Sequence, residues 1–460
     1  MTEEVKDLRK LVQTLTRRVD VLTQKVNDLT RENTYLRKRL SKYEHPKNSN
    51  NSSIPPSKDE NRPRRKSLRE KTGRKPGGQK GRKGNTLKMV ETPDIIHKHI
   101  PCYCKSCGKP LENVQAIAAG KRQVFDIPKI EIKVTEHQVY TKQCTCGCIN
   151  YGEYPVEANA PVSYGNNIES LVGYFHTRQY MPFKRMQELF KDVFGTPISE
   201  GGLHYILDKL TQKALPAYYL IKQRLQSNVK YAVGSDETGV KVNGAKHWGW
   251  TWQNQEATFI TITDNRGQKS ITDTFKEGFK HATLVHDCWA SHFNTPAMTH
   301  QVCIAHLLRD LNYLNELYSH KWSRVVKLLF QQSLKLKKQM ELADYYKQNM
   351  RRAQLEKRLD FLINHLLPDD KKELITFQKR LKKYREYLLT FLYRPEVPPD
   401  NNASERAIRN IKVKQKISGQ FRSTEGAARF AILRSVTDTV LKNGMNVLGA
   451  LNFIANFETD

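Results

Sequence analysis

Apolar residues recur every seven positions at the start of the chain. Val5, Val12, Val19, Val26 and Leu40 fall at one position of the repeat, with Asn33 its single polar member, and Leu8, Leu15, Leu22, Leu29 and Leu36 fall at the other. β-Branched residues alternating with leucines along such a seam predict a parallel two-stranded coiled coil, in which a paired Asn33 fixes the register at some cost in stability. Beyond residue 40 the repeat stops. The stretch "HPKNSNNSSIPPSKDENRPRRKSLREKTGRKPGGQKGRKGNTLK" holds too little apolar surface to fold alone and reads as a linker.

Later segments switch between strand and helix periods. "QVFDIPKIEIKVTEHQVYTKQ", residues 123–143, alternates apolar and polar positions and predicts paired strands. Residues 166–225 carry a helical repeat, broken by a turn at Phe194-Gly195-Thr196-Pro197, with Ser199 placed to cap the next helix. Two helices about such a turn resemble a helix-turn-helix. From residue 228, "VKYAVGSDET", "KHWGWTWQ" and "EATFITITD" read as successive strands, and Trp248, Trp250 and Trp252 share one face, predicted to be sheet core. A helix near 270–278, a strand ending at Asp287, a helix near 291–299 and a strand at "QVCIAH" (Gln301–His306) follow. That order is the order of a ribonuclease-H-like α/β domain. Residues 306–395 are helical and charged, Pro395, Pro398 and Pro399 halt the chain, and a basic helical region closes it.

The expected architecture is therefore multidomain. It comprises a coiled coil (1–45), a basic linker (46–92), a small zinc-binding β module (93–157) and a helical DNA-binding region of helix-turn-helix type (158–226). A ribonuclease-H-like core (227–312) follows, with a large helical insertion (313–396) and a C-terminal helical region (397–460).

Charge sharpens the picture. The 460 residues include 77 Lys and Arg against 47 Asp and Glu, a net charge of +30. Such an excess favours a polyanionic partner, most often nucleic acid. In the linker, Arg74, Lys75, Lys80 and Arg82 flank a Pro-Gly-Gly centre, as a strand lying along phosphates or in a minor groove requires. No apolar run approaches the ~18–20 residues that span a bilayer, and the charged N-terminus lacks the apolar stretch of a secretion signal. A soluble, cytoplasmic protein with no membrane partner is expected. In that reducing setting the eight cysteines are poor disulfide candidates, and six lie between 102 and 148. Cys104 and Cys107 form a zinc-knuckle turn with the glycine that follows. Cys144, Cys146 and Cys148 supply the second half of a Zn–S₄ site, any two of them completing it, with Cys102 a further thiol.

Asp236 is expected at the end of the first strand of the α/β order and Asp287 at the end of the fourth. Adjacent parallel strands would bring these ends together, where two carboxylates bind a hard divalent ion such as Mg²⁺. Glu405 in "NNASERAIRN" is the third acid. It precedes Arg406, Arg409, Lys412, Lys414 and Lys416, as in a helix beside phosphates. Each acid also has a local reading: a turn at Asp236, a helix cap at Asp287, and a capping box from Asn402 to Glu405. Glu237 and Asp400 are neighbouring acids that compete for the same roles, and His306 is a candidate assistant to the site.

"SDETGVKVNGAKHWGWTW", "HDCWASH", "CIAHLLRDL" and "DNNASERAIRNIKVKQKISGQFRS", together with the zipper, "KNSNNSSIPPSKD", "GRKPGGQKG" and the cysteine module, resemble the large transposases of the bacterial insertion sequence 66 family over nearly the whole chain. The resemblance implies an Asp-Asp-Glu transposase. Asp236, Asp287 and Glu405 would be ligands for Mg²⁺ or Mn²⁺ in metal-dependent strand cleavage and strand transfer. It also implies binding to the element's terminal inverted repeats and to target DNA, as a homodimer, with companion proteins of the same element. A catalytically silent DNA-binding regulator and a ribonuclease-H-like nuclease without strand transfer are the alternatives.

Overall fold

A computed structural model describes residues 3–44, 46–48, 51–52, 59, 81, 86–128, 130–158 and 160–457. The heptad region forms one helix, α1 (Glu3–Glu44), whose leucine and valine seam is open to solvent in the single chain; Leu15 and Leu29 are 50 % and 63 % exposed. Among the described residues of the cysteine module, the one hairpin pairs β1 (Thr141–Gln143) with β2 (Ile149–Tyr151). The alternating stretch before it is extended but not laddered. Val124 and Val134 are 93 % and 86 % exposed, because an alternating face becomes sheet only where it has a surface to bury against.

The rest is built around a mixed five-stranded sheet, β5-β4-β3-β6-β7. The strands are β3 (Val233–Val242), β4 (Ala245–Gln253), β5 (Thr258–Thr263), β6 (Phe279–His286) and β7 (Ala297–Val302). β3, β4 and β5 run antiparallel in turn, while β6 pairs with β3, and β7 with β6, in parallel. The expected ending of β3 at the acids is corrected: the strand runs straight through Asp236-Glu237-Thr238 to an Asn243-Gly244 turn. Both turn residues have positive φ, the geometry of a two-residue hairpin. Only Val233 and Gly234 pair with β6. Two further boundaries shift. The helix expected at 291–299 is the short α6 (Ala290–Phe293), preceded by α5 (Gln268–Thr274). β7 lies earlier than "QVCIAH", so Ile304 and His306 open α7 (Ile304–Tyr318).

Helices α2 (Asn166–Thr177), α3 (Phe183–Phe194) and α4 (Glu200–Gln226) precede the sheet, and Ser199 does cap α4 by accepting from the Gly202 amide at 3.0 Å. The inward faces of α2, α3 and α4 join the sheet's own core: Val172 of α2, Met186 of α3 and Leu207 and Leu210 of α4 pack in one cluster with Trp250, Trp252, Leu433 and Leu451. The last two residues belong to α12 (Thr424–Lys442) and α13 (Val447–Ala455). Residues 166–226 and the C-terminal helices therefore build the core of the sheet unit rather than stand beside it.

Both sheet edges are covered. Ser435 and Thr439 of α12 accept the outward amides of Ile260 and Thr258 on β5, at 2.8 and 3.1 Å. The insertion, α8 (Lys321–Gln339), α9 (Met350–Asn364) and α10 (Lys372–Lys383), has its own apolar core and returns to β7. There Thr390 donates to the His300 carbonyl at 2.7 Å and Gln301 accepts from the Phe391 amide at 2.9 Å. Helix α11 (Asn402–Ser418) then crosses β3 and β4, burying Ile411 against them.

Candidate active site

Strand parity sorts the acids of β3. Successive side chains point to opposite faces, so Gly234, Asp236 and Thr238 share one face and Ser235 and Glu237 the other. The Gly234 face is the α11 face. A Cβ on Gly234 would overlap Ser404 and lie 2.8 Å from Asn401 Oδ1 and 2.7 Å from Gln253 Nε2. Its absence lets the start of α11 settle on the strand, where Asn401 Nδ2 donates to the Ser235 carbonyl at 2.6 Å. Asp236 thus shares a face with the helix that carries Glu405.

Asp236 keeps some exposed surface, but its carboxyl is withdrawn from water. Burial first, and then the charges of Glu237, Asp287 and Glu405, push it well above the usual carboxylate range; the Glu237 amide, donating at 3.0 Å, offsets this only in part. No basic side chain pairs with Asp236 among the described residues. The three expected acids, with Glu237, therefore share one electrostatic neighbourhood.

Their surroundings differ. Asp287 follows β6, and its Oδ1 accepts from the Trp289 amide at 2.8 Å and lies 3.9 Å from His292 Nε2. Glu237, nearly wholly buried, accepts from Arg266 Nε and Nη2 at 2.9 and 2.6 Å and faces His292 Nε2 at 3.1 Å. Burial pushes its carboxyl up, but the bonds to His292 and Arg266 outweigh burial and hold it low. Arg266 is itself held between Trp289 and Trp248, 3.9 and 4.9 Å from their ring centres. Neither Arg266 nor His292 was singled out from sequence; they lie 29 and 55 residues from Glu237, and no local spacing links them.

Glu405 stands in the first turn of α11, where Arg309 Nη2 donates to it at 2.8 Å and His306 Nε2 lies 3.8 Å away. The capping-box reading fails, since α11 has no side-chain cap at its Asn401 N-cap position. Asp400 takes a local role instead, accepting from the Asn402 amide at 3.0 Å. Along α11, Arg406, Arg409 and Lys416 are exposed. Lys414 is buried, which lowers its ammonium to about 8. Lys412 donates to the Gly239 carbonyl and so ties the helix to β3. Arg74, Lys75, Lys80 and Arg82 lie outside the described residues.

The cysteine module holds two similar turns. Gly108 donates to the Cys104 carbonyl at 2.9 Å and Gly147 to the Cys144 carbonyl at 2.9 Å, each glycine at positive φ. The Cys107 amide, before any other contact, draws the Cys104 thiol down, and the Cys146 amide does the same for Cys144. Thiols drawn towards thiolate suit Zn²⁺. The Cys102 and Cys148 thiols instead face the carbonyls of Ile100 and Ile149, at 3.8 and 3.9 Å. Neither here nor at the acids do three His, Cys, Asp or Glu side chains close to metal-binding distance among the described residues. In both places the donor chemistry, paired thiols at one and the acid-crowded Asp236 carboxyl at the other, suits a cation.

The chain thus joins a carboxylate-bearing sheet to a paired-cysteine module. Residues 161–429 match the model of the transposase IS66 family, and residues 101–147 match the zinc-finger binding domain of transposase IS66. Residues 3–88 match a family of unknown function. With more than half of its length in the first match, the chain belongs to the IS66 transposase family. No curated protein matches it. Family membership makes it a transposase, and the zinc-finger match supports structural zinc. Among the described residues no helix is long and apolar enough to cross a membrane.

The crowding at Asp236 has a measurable consequence. In metal-free protein, Asp236→Asn keeps the bond from the Glu237 amide and removes one buried charge, so Tm is expected to rise by about 2–4 °C. Mn²⁺ should raise the Tm of the parent more than that of the variant. Calorimetry with and without Mn²⁺ checks both; a lower Tm for the metal-free variant would show that Asp236 is not electrostatically strained.

Proposed function

We propose that this transposase cuts DNA strands at its element's ends and joins them to target DNA, with Asp236, Asp287 and Glu405 as ligands for two divalent cations, Mg²⁺ or Mn²⁺. The observation that carries the reading is the Asp236 carboxyl, withdrawn from water beside three other acids without a basic partner. Such a group is stable as an anion only next to a cation. The sheet order supports a ribonuclease-H-like core, since the central strand carries one acid and the strand parallel to it ends on the next.

When bound, the cations would activate water, and then the freed 3′-hydroxyl, and stabilise charge at phosphorus. Water adds to phosphorus as the 3′-oxygen leaves with a proton. That 3′-hydroxyl then attacks a target phosphodiester and expels the target's own 3′-oxygen. The chain's residues fix the ligands. The Trp289 amide holds one oxygen of Asp287, which orients the carboxylate, and Arg309 orients Glu405. Glu237 serves as a positioning residue, its charge spent on Arg266 and His292.

Arg406, Arg409 and Lys416 form the exposed face of α11 suited to phosphates, and Arg74, Lys75, Lys80 and Arg82 of the basic linker contact the terminal repeats. Cys104, Cys107, Cys144 and Cys146 hold the zinc, and α1 pairs with a second copy through its open seam.

Asp287→Asn is expected to lower cleavage of element-end DNA by about a thousandfold or more while leaving binding within roughly twofold. A variant that cuts at the parent rate overturns the assignment. Joined products in a plasmid assay distinguish strand transfer from simple hydrolysis, and a parent that binds without cutting is a regulator. Metal analysis of protein purified without chelator should find one zinc per chain, lost in Cys146→Ser but kept in Cys102→Ser and Cys148→Ser; loss in Cys148→Ser instead would move the fourth ligand. The mass in solution should be that of two copies and fall to one in Leu22→Glu, which places a charge in the seam; an unchanged mass would put the dimer contact elsewhere.

A further inference from the structure

The asparagine-serine stretch that follows α1 has no part in the chemistry above, yet two of its described residues are buried polar groups. Asn51 is 1 % exposed and Ser52 7 %. Asn48 and Asn51 bond reciprocally: the Asn48 amide donates to Asn51 Oδ1 at 2.8 Å and the Asn51 amide to Asn48 Oδ1 at 3.2 Å. Ser52 Oγ donates to the Asn48 carbonyl at 2.6 Å, and Asn51 Nδ2 reaches the Pro46 carbonyl at 3.3 Å. The turn is thus closed on itself, and the strongest bond of Asn51 Nδ2 leaves it, to Glu316 Oε2 of α7 at 2.6 Å. Beside it the Lys47 ammonium lies 5.0 Å from the ring centre of Tyr313.

We propose that the outer stripe of α7 is a docking surface whose ligand is the Asn48–Ser52 turn of the same chain, and that this latch fixes the dimerising helix to the catalytic unit. Arg309, Tyr313 and Glu316 are spaced i, i+4, i+7 and share one face of α7. One end of that face holds Glu405 through Arg309; about 10 Å along the axis, the other end receives the turn. Chemistry explains the fit. A charged acceptor takes a buried amide donor whose other bond, to the Pro46 carbonyl, is the longer one, and a cation covers the neighbouring ring. The asparagines are not interchangeable with other linker residues, because each uses a backbone amide and a side-chain amide at once. The latch divides the linker in two: the turn follows closely on the end of α1, and the basic stretch begins beyond it.

The latch does not depend on the catalytic reading, and hydrogen exchange by mass spectrometry on the full chain tests it separately. In the parent, the amides of Asn48 and Asn51 should exchange about ten- to a hundredfold more slowly than those of an open linker. Glu316→Ala changes an exposed residue of α7 and should abolish that protection while leaving α7 protected; Asn51→Ala should do the same. Fast exchange of the turn in the parent, or unchanged protection in Glu316→Ala, overturns the proposal. Protection that falls on dilution assigns the turn to a second copy and overturns docking within one chain.

Discussion

The seating of α11 on β3 is the contact on which the rest depends. It requires a residue without a side chain at Gly234, a donor at Asn401 to take the Ser235 carbonyl, and a small residue at Ser404. These lie on either side of the sequence gap that the helical insertion fills. The insertion can be large because its ends are fixed, by the bond from the Ile304 amide to the Pro399 carbonyl and by the return of residues 390–391 to β7. Once α11 is seated, Glu405 stands over the face that carries Asp236, and the exposed cations of α11 follow along the same axis.

Electrostatics then separates residues that look alike in sequence. Asp236 and Glu237 are neighbours, but parity sends them to opposite faces. Glu237 meets Arg266 and His292 and is neutralised within the protein, whereas Asp236 meets other acids. Asp400 and Glu405 are separated in the same way, one spent on its local backbone and the other on a distant arginine. Under the proposed reading such a site would gain cation affinity at the cost of stability when empty.

Much of this was legible in the chain. The helix of residues 3–44, the Ser199 cap and the burial of Trp250 and Trp252 follow from local spacing, because period and capping are properties of neighbouring residues. β3 runs past its acids to the Asn243-Gly244 hairpin because its ladder with β4 continues through Asp236 and Glu237, and polar residues within a strand look locally like a strand end. The alternating stretch of residues 123–143 gave a strand pattern that lacks a surface to cover, and pattern alone cannot supply one.

By itself the sequence determined the family, a long N-terminal helix with an apolar seam, the paired cysteines and a basic chain with three candidate acids. Only tertiary structure decided which acids share a face, that Arg266, His292 and Arg309 attend them, that α2–α4 belong to the sheet's core, and that Asn51 meets Glu316, 265 residues away. The reason is physical: a carboxylate's role is set by the charges and water around it, and those come from segments whose separation along the chain leaves no period to read.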